Sequence, residues 1–273
     1  MENDRPATQA VNRRIALLID ADNVSHSKIA LMLAELSKYG TANIRRAYGD
    51  WGSTSLKGWK DKLHDFAIRP IQQFSYSTGK NATDIALVID AMELLYTQDL
   101  DAFCIASSDA DFTPLIMQLK ANGHDVYGFG ARKTPAPFVN ACTTFLYLES
   151  LDDPADVGPA SVPSDPPRQA PRTERTKAAA AKPAKSDLAR DEALVTILRG
   201  AVDAAAWDDG WASMSAAGSA AKRQSSIDPR NYGVKNFPQL FQAVGLFEIF
   251  KDEGGQSFVA DKHNTDRDPT PSR

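Results

Sequence analysis

Five aspartates occupy positions that could together hold a metal ion, and four of them stand where apolar runs of the sequence end. Asp20 and Asp22 close the run LIDADN, and Asp109 and Asp111 close the run IASSDADF. Asp84 follows GKNAT at the start of a helical pattern, on the apolar face of that helix. The carboxyl ends of parallel strands meet at one edge of a sheet. We therefore expect these carboxylates to lie close together at that edge.

The chemistry of such a cluster is that of a hard divalent cation. Neighbouring carboxylates repel one another and raise one another's pKa unless a cation lies among them. Oxygen ligands suit Mg²⁺ or Mn²⁺, and the sequence has no cluster of His and Cys with zinc spacing. One or two such ions can activate water and stabilise the leaving oxygen in phosphodiester hydrolysis. The sequence therefore predicts a metal-dependent hydrolytic site, with the number of ions left open.

Each acid also has an interpretation without chemistry. A turn explains Asp22 as well as a metal does, and a helix cap is an alternative for Asp111. Asp90 lies about 120° from Asp84 around the same helix, so an ion pair or a solvated face explains it as well as function does. The distribution of the acids over three predicted strand ends, rather than any one of them, indicates a site.

Strands alternate with helices in the first half of the chain. Short apolar runs predict strands at Ile15–Asp20, Asn43–Tyr48, Ile68–Gln73, Ala102–Ser107, Asp125–Gly130 and Thr144–Glu149. Helical periodicity predicts helices at Ser27–Tyr39, Leu56–Phe66, Ala82–Tyr96 and Phe112–Asn122. This alternation implies right-handed crossovers and a parallel sheet covered by helices on both faces. We expect one α/β domain at residues 13–151.

The rest of the chain predicts a linker and a smaller domain. Residues 152–186 are rich in Pro, Ala, Ser and mixed charge, so they cannot bury enough apolar area to offset their ordering entropy. We expect a disordered linker there. Residues 187–260 predict a small winged-helix domain, with helices at Asp187–Ala206, Trp211–Arg223 and Lys235–Val244 and a hairpin at Phe247–Ala260. We expect residues 261–273 to form a disordered tail.

The composition is that of an ordinary globular protein. Of its 273 residues, 42% are hydrophobic and 24% charged. No apolar run approaches the roughly 20 residues of a membrane span, and no signal-peptide pattern is present. Cys104 and Cys142 lie in apolar segments, where we expect buried thiols. These features favour a cytoplasmic location and no membrane contact.

Nucleic-acid contacts in this chain must come from local patches. The net charge of −4 and the pI of about 5.6 do not indicate a strongly basic nucleic-acid binder. Arg46, Lys80, Arg132 and Lys133 lie near predicted strand ends, with Arg132 and Lys133 after the Gly-rich turn GFGAR. Trp51 could stack on an unpaired base. Solvated surface is the ordinary explanation of scattered Lys and Arg, and packing explains Trp51 as well as base contact does.

The segments LIDADN, AYGDW, GKNATDIALVIDAMELLY, IASSDADF and VYGFGARKTPAPF together resemble the NYN domain family, in its bacterial LabA-like branch. NYN domains belong to the PIN-like nucleases, so the resemblance implies a PIN-like, Rossmannoid sheet and metal-dependent cleavage of RNA. It places the metal ligands at Asp20, Asp84 and Asp109, with Asp111 as a further candidate. It also implies that Asn23 and Ser107 orient ligands or phosphate by hydrogen bonds.

The segment DPRNYGVKNFPQLFQAVGLFEI resembles a LOTUS, or OST-type helix-turn-helix, domain. That resemblance implies binding of single-stranded or structured RNA, with recruitment of a protein partner as the alternative. The residues that it places on the binding surface are Arg230, Tyr232, Lys235 and Asn236. For Tyr232, packing is as good an explanation as base stacking.

Two other functions compete with RNA cleavage. The pair of acids in DADN is similar to the start of haloacid-dehalogenase-type phosphatases, but Asn23 and the order of the later motifs do not fit that class. The second alternative is a catalytically silent RNA-binding scaffold or regulator, since a fold and an activity can separate. The sequence leaves open the RNA substrate, the choice between RNA and DNA, and the oligomeric state.

Overall fold

The computed structural model describes residues 13–74, 82–151, 188–252 and 254–272. Within these ranges the first domain is a parallel sheet of six strands in the order β3-β2-β1-β4-β5-β6. The strands are β1 (Arg14–Asp20), β2 (Thr41–Gly49), β3 (Arg69–Gln72), β4 (Ala102–Ala106), β5 (Asp125–Gly130) and β6 (Thr144–Tyr147). The predicted α/β class is confirmed.

Helices cover both faces of this sheet. They are α1 (Ile29–Leu36), α2 (Trp59–Asp65), α3 (Ala82–Thr97), α4 (Thr113–Ala121) and α5 (Ala136–Ala141). The first four agree with the sequence prediction to within a few residues. The short α5 was not predicted, because its six residues APFVNA are too few to show helical periodicity.

The central strand β1 is buried on both sides, which explains its continuous apolar run. Its odd-numbered residues, such as Leu17, pack in one core with α1 and α2. Its even-numbered residues, such as Leu18, pack in a second core with α3, α4 and α5. Because successive side chains of a strand point to opposite faces, one short run builds both layers and holds Asp20 at its carboxyl end.

A largely buried carboxylate, that of Asp90, holds helix α3 on the sheet. The Asp90 carboxylate accepts hydrogen bonds from the Arg46 guanidinium and the Tyr48 hydroxyl of β2. The Arg46 and Asp90 side chains are 21% and 14% exposed. Of the explanations for Asp90, the ion pair is the one that the structure shows, and the same ion pair occupies the guanidinium of Arg46.

The second domain contains three helices and a small sheet within the described residues. The helices are α6 (Glu192–Asp203), α7 (Met214–Gln224) and α8 (Phe237–Val244). The strands β7 (Ala212–Ser213), β8 (Phe247–Lys251) and β9 (Ser257–Asp261) form an antiparallel sheet in the order β7-β9-β8. The predicted hairpin is therefore β8 and β9, on a core of helix side chains.

The residues after β9 differ from their prediction, because they fold back on the second domain. The indole Nε1 of Trp211 donates to the carbonyl of Asp268 at 2.9 Å, and Ser272 donates to Asp209 through both its backbone N and its hydroxyl. A polar composition predicts disorder only where no such partners exist. The expected linker at 152–186 lies outside the described residues.

The two cysteines are buried and free, as predicted. No helix within the described residues has the length and hydropathy required to span a bilayer.

Replacing Asp90 by Ala should destabilise the first domain. The change leaves a largely buried guanidinium without its carboxylate, and breaking a buried pair costs up to about 3–5 kcal/mol. Since this pair is partly exposed, we expect about 2 kcal/mol and a fall in Tm of roughly 4–8 °C. Thermal unfolding followed by circular dichroism measures it. The exposed Glu93→Gln on the same helix is the control, and equal Tm values for the two variants would contradict a role for the pair.

Candidate functional site

Asp20 lies at the carboxyl end of β1 and is 1% exposed. Its Oδ2 accepts hydrogen bonds from Asn23 Nδ2 at 2.6 Å and from Ser107 Oγ at 2.7 Å. Its Oδ1 is buried and has no hydrogen-bond partner among the described residues. Burial raises the pKa of Asp20, although the two hydrogen bonds oppose the shift. Leaving a buried carboxylate oxygen without a partner costs free energy. A cation bound to Oδ1 would lower that cost.

Ser107 connects the ends of β1 and β4. Its buried hydroxyl donates to Asp20 and accepts from the backbone N of Asp109 at 3.1 Å. Asp109 in turn accepts from the backbone N of Asp111 at 2.9 Å, capping the short 3₁₀ turn Ala110–Phe112. Gly130 allows the close approach, since a Cβ there would lie 2.6 Å from the carbonyl oxygen of Ser107. These contacts bring Ser107 and Asp109 to the same edge as Asp20.

Asp84, in the first turn of α3, completes the group. Partial burial and the negative charges of Asp20, Asp109, Asp111 and Asp22 together raise the pKa of Asp84 to about 6. The Thr83 hydroxyl beside it donates to Asp22 Oδ2 at 3.2 Å, which holds the start of α3 against the end of β1. The other four predicted acids therefore all lie close enough to Asp84 to act on it electrostatically. We call these five acids the acidic rim.

The acidic rim fits a hard divalent cation in its chemistry. Its potential ligands are carboxylate oxygens, one of them buried without a partner, and their mutual repulsion is what a cation would relieve. Among the described residues, no three His, Cys, Asp or Glu side chains already form a ligand set. Binding of an ion would therefore require side chains of the rim to turn toward one another.

The predicted RNA-contacting residues of the first domain fall into different surroundings. Arg46 pairs with Asp90 of α3. The half-buried Trp51 donates from Nε1 to the carbonyl of Ile71 at 3.0 Å and lines a groove of about 1080 Å³ with Lys57 and Lys60.

Of the cations predicted to contact RNA, Arg132 lies nearest in sequence to the strand ends. Its guanidinium lies 5.7 Å from the centroid of the Tyr147 ring, and its neighbour Lys133 is exposed. Lys80 lies outside the described residues.

Arg230 of the second domain lies against the first domain. Its guanidinium binds both carboxylate oxygens of Asp228, at 2.9 and 2.8 Å, and reaches Glu35 Oε2 of α1 at 2.5 Å. Burial by itself would raise the pKa of Glu35, but the hydrogen bonds from Arg230 and Lys38 outweigh it and lower that pKa. The predicted RNA contact at Arg230 is thus occupied by an ion pair between the domains.

Asn231 makes a second contact between the domains. Its Nδ2 donates to the carbonyl of Phe145 at 2.8 Å, and its Oδ1 accepts from the backbone N of Tyr147 at 3.2 Å. Both backbone groups belong to β6, the last strand of the large sheet, so one amide side chain pairs with a strand edge. Ser226 Oγ adds a hydrogen bond of 2.6 Å to the carbonyl of Val139 in α5.

The other predicted residues of the second domain differ in their burial and contacts. Tyr232 is half-buried near the first domain, and burial, with smaller contributions from Asp191 and Tyr147, raises its pKa to about 12. Lys235 and Asn236 are exposed, and Asn236 Oδ1 caps α8 by accepting from the backbone N of Gln239 at 3.0 Å. The structure does not bring these four residues together on one open face.

Comparison with known families agrees with this architecture. Residues 14–149 match the NYN domain, and residues 189–259 match the OST-HTH/LOTUS domain. The chain therefore contains an NYN domain followed by a LOTUS domain. NYN domains have a nuclease-type fold and are generally ribonucleases, and LOTUS domains imply RNA binding.

Individual relatives are less informative. An uncharacterized protein of Methanocaldococcus jannaschii is 31% identical over 122 residues, which are 43% of this chain and 48% of that protein. The chain thus spans about half the length of this curated relative. A crystal structure of a protein of unknown function from Vibrio parahaemolyticus aligns with a TM-score of 0.43 and 17% identity, covering 54% of this chain and 96% of that chain.

Sequence reasoning missed the residues that join the two domains. The sequence analysis assigned no role to Glu35, Asn231 or Ser226. Each was unremarkable because its partner is far away in sequence, and for Asn231 and Ser226 that partner is backbone. The resemblance to LOTUS domains marked the segment DPRNYG, but gave no sign that the NYN domain binds part of it.

Replacing Asp84 by Asn should stabilise the metal-free protein near neutral pH. The ordinary pKa of an Asp, 3.8, applies to the unfolded chain, whereas that of Asp84 in the fold is about 6. Its contribution to stability is therefore complete below pH 4 and is lost as the pH rises through 6. After screening, we expect a gain of about 1 kcal/mol at pH 8, or roughly 2–4 °C in Tm.

Thermal unfolding in EDTA at pH 5 and pH 8 checks this, with Glu93→Gln on the same helix as control. If Asp84→Asn lowers Tm at pH 8, the rim does not carry excess negative charge.

The contacts of Asn231 and Arg230 should hold the domains together without the linker. With a protease site inserted within residues 152–187, the cleaved wild type should still elute as one species in gel filtration. Asn231→Ala with Arg230→Ala should separate the two parts, since it removes two backbone hydrogen bonds and a buried ion pair. Lys235→Ala with Lys251→Ala, at exposed positions, is the control. Separation of the cleaved wild type would refute stable docking.

Proposed function

We propose that this chain is a divalent-metal-dependent endoribonuclease whose site is the acidic rim. The observation that carries the proposal is the buried, unpartnered Oδ1 of Asp20 beside acids that raise the pKa of Asp84 to about 6. The ionised Asp84 destabilises the metal-free fold, so a chain that kept this acid only for its fold would gain stability by losing it. Holding a cation is the use that fits the chemistry of the rim.

The acids of the rim and the residues that contact them would have distinct roles in the reaction. Asp20, Asp84, Asp109 and Asp111 would hold Mg²⁺ or Mn²⁺. Ser107 and Asn23 orient the Asp20 carboxylate through its Oδ2, which leaves Oδ1 directed elsewhere. The bound ion would supply activation of water and stabilisation of the charge on the phosphate oxygens.

RNA is the proposed substrate because both domains point to it. NYN domains are generally ribonucleases, and the LOTUS domain adds RNA binding. Arg132 and Lys133 follow β5 at the same edge of the sheet as the rim and would attract the phosphates of a bound strand. Since the LOTUS domain contacts the NYN domain directly, RNA on one domain is held close to the other.

The decisive test is cleavage of labelled single-stranded and structured RNA by the full chain in Mg²⁺, Mn²⁺ or EDTA. We expect cleavage that needs a divalent ion and falls at least 100-fold in Asp109→Asn, because removing one electrostatic contact to the reacting groups costs about 10²–10³ in rate. Glu93→Gln, which removes a carboxylate outside the rim, should cleave like the wild type.

The other outcomes would decide against the proposal. RNA binding without cleavage in either metal would identify a scaffold or regulator. Cleavage that survives in Asp109→Asn would place the activity outside the rim. Cleavage of DNA at an equal rate would change the substrate class while leaving the site in place.

A further inference from the structure

A cleft lies between the two domains at the carboxyl end of β6, on the edge of the sheet that also carries the acidic rim. Its volume is about 520 Å³, within the range typical of small-molecule sites. The NYN domain contributes Arg132, Asn140 and Tyr147 to its lining, and the LOTUS domain contributes Asp191, Ile197 and Tyr232. Neither domain forms this cleft by itself.

The lining of the cleft is suited to a planar ligand with polar edges. Tyr147 and Tyr232 are both half-buried, and the Arg132 guanidinium lies over the Tyr147 ring. Aromatic side chains of this kind stack on nucleobases. The amide of Asn140 and the carboxylate of Asp191 can form hydrogen bonds with base edges. The carboxylate of Asp191 offsets the positive charge of Arg132 in the lining, so the cleft is not a purely cationic site for phosphate.

The loop after β5 connects the lining of the cleft with the strand end that carries the rim. The backbone N of Ala131 donates to Ser108 Oγ at 2.8 Å, and Ser108 lies between Ser107 and Asp109 of the site. Arg132 comes next in the chain and lines the cleft. A strand with one base in the cleft would therefore pass its phosphates by Arg132 on the way to Asp109.

We infer that this interdomain cleft binds one unpaired nucleobase of the RNA, stacked on Tyr147 or Tyr232, next to the bond to be cut. The inference rests on the proposed function and adds a preference to it. A base paired in a duplex cannot enter such a cleft, so the chain should select RNA with an unpaired nucleotide at this position.

The test measures binding to the full chain carrying Asp109→Asn, so that the RNA stays intact. Fluorescence anisotropy compares an unstructured RNA with a blunt duplex of the same length. Tyr147→Leu and Tyr232→Leu should weaken binding of the unstructured RNA roughly 5- to 150-fold, since stacking contributes about 1–3 kcal/mol per base. Binding of the duplex should change less than twofold.

The design separates the effect of the tyrosine rings on RNA binding from effects on folding and domain docking. Tyr147→Leu retains the backbone N–H that Asn231 accepts, so the domains stay docked. Tyr96→Leu is the matched control, because Tyr96 is 70% exposed near the far end of α3, about 18 Å along the helix from Asp84. Photo-crosslinking of RNA containing 4-thiouridine to the chain with intact tyrosines, mapped by mass spectrometry, gives a readout that needs no cleft variant to fold.

The possible outcomes test base binding in the cleft and the proposed nuclease activity independently. Crosslinks at Tyr147 or Tyr232, with weaker binding of the variants, support the cleft even if the wild type cleaves nothing, which would refute only the proposed activity. Metal-dependent cleavage with crosslinks elsewhere, and both variants binding like Tyr96→Leu, would refute only the cleft. No RNA binding by the chain would refute both.

Discussion

Repulsion among carboxylates at the end of β1 is the constraint on which the rest of this molecule depends. A buried strand brings Asp20 to the sheet edge with an unsatisfied oxygen, and four more acids add charge around it. The fold tolerates this cost because the surrounding elements are firmly held. Two packed cores fix β1, and the pair of Arg46 with Asp90 fixes α3. The stability of the sheet is thus what allows an unfavourable charge cluster to persist.

The fold of the NYN domain and the position of its acids could be predicted from sequence because both depend on local patterns. Each strand shows its burial as an apolar run, and the topology of a parallel sheet places its strand ends together. The two hydrogen bonds of the Ser107 hydroxyl, which donates to Asp20 and accepts from the N–H of Asp109, were harder to predict from sequence. A serine after a strand has many ordinary explanations, and only the resemblance to a known family assigned it a role.

The arrangement of the domains could not be predicted, because it depends on pairings across long sequence separations. Arg230 looked like a cation available to RNA, yet its charge is balanced by Asp228 and Glu35. The tail after β9 looked disordered by composition, but Asp209 and Trp211 provide partners for it. In both cases a specific neighbour, distant in sequence, stabilises the observed arrangement. Composition and periodicity cannot reveal such a neighbour.

The contact of Asn231 with β6 has a consequence for how this protein can change over time. The amide binds a carbonyl and an N–H of the backbone, which every residue except proline supplies equally. The side chains of β6 can therefore vary without loosening these two hydrogen bonds, whereas position 231 has few substitutes. A single change there would remove two of the hydrogen bonds between the domains while leaving both folds intact, and the pair of Arg230 with Glu35 would remain. Proteins with the same two domains could thus differ by one codon in how firmly the domains are held together.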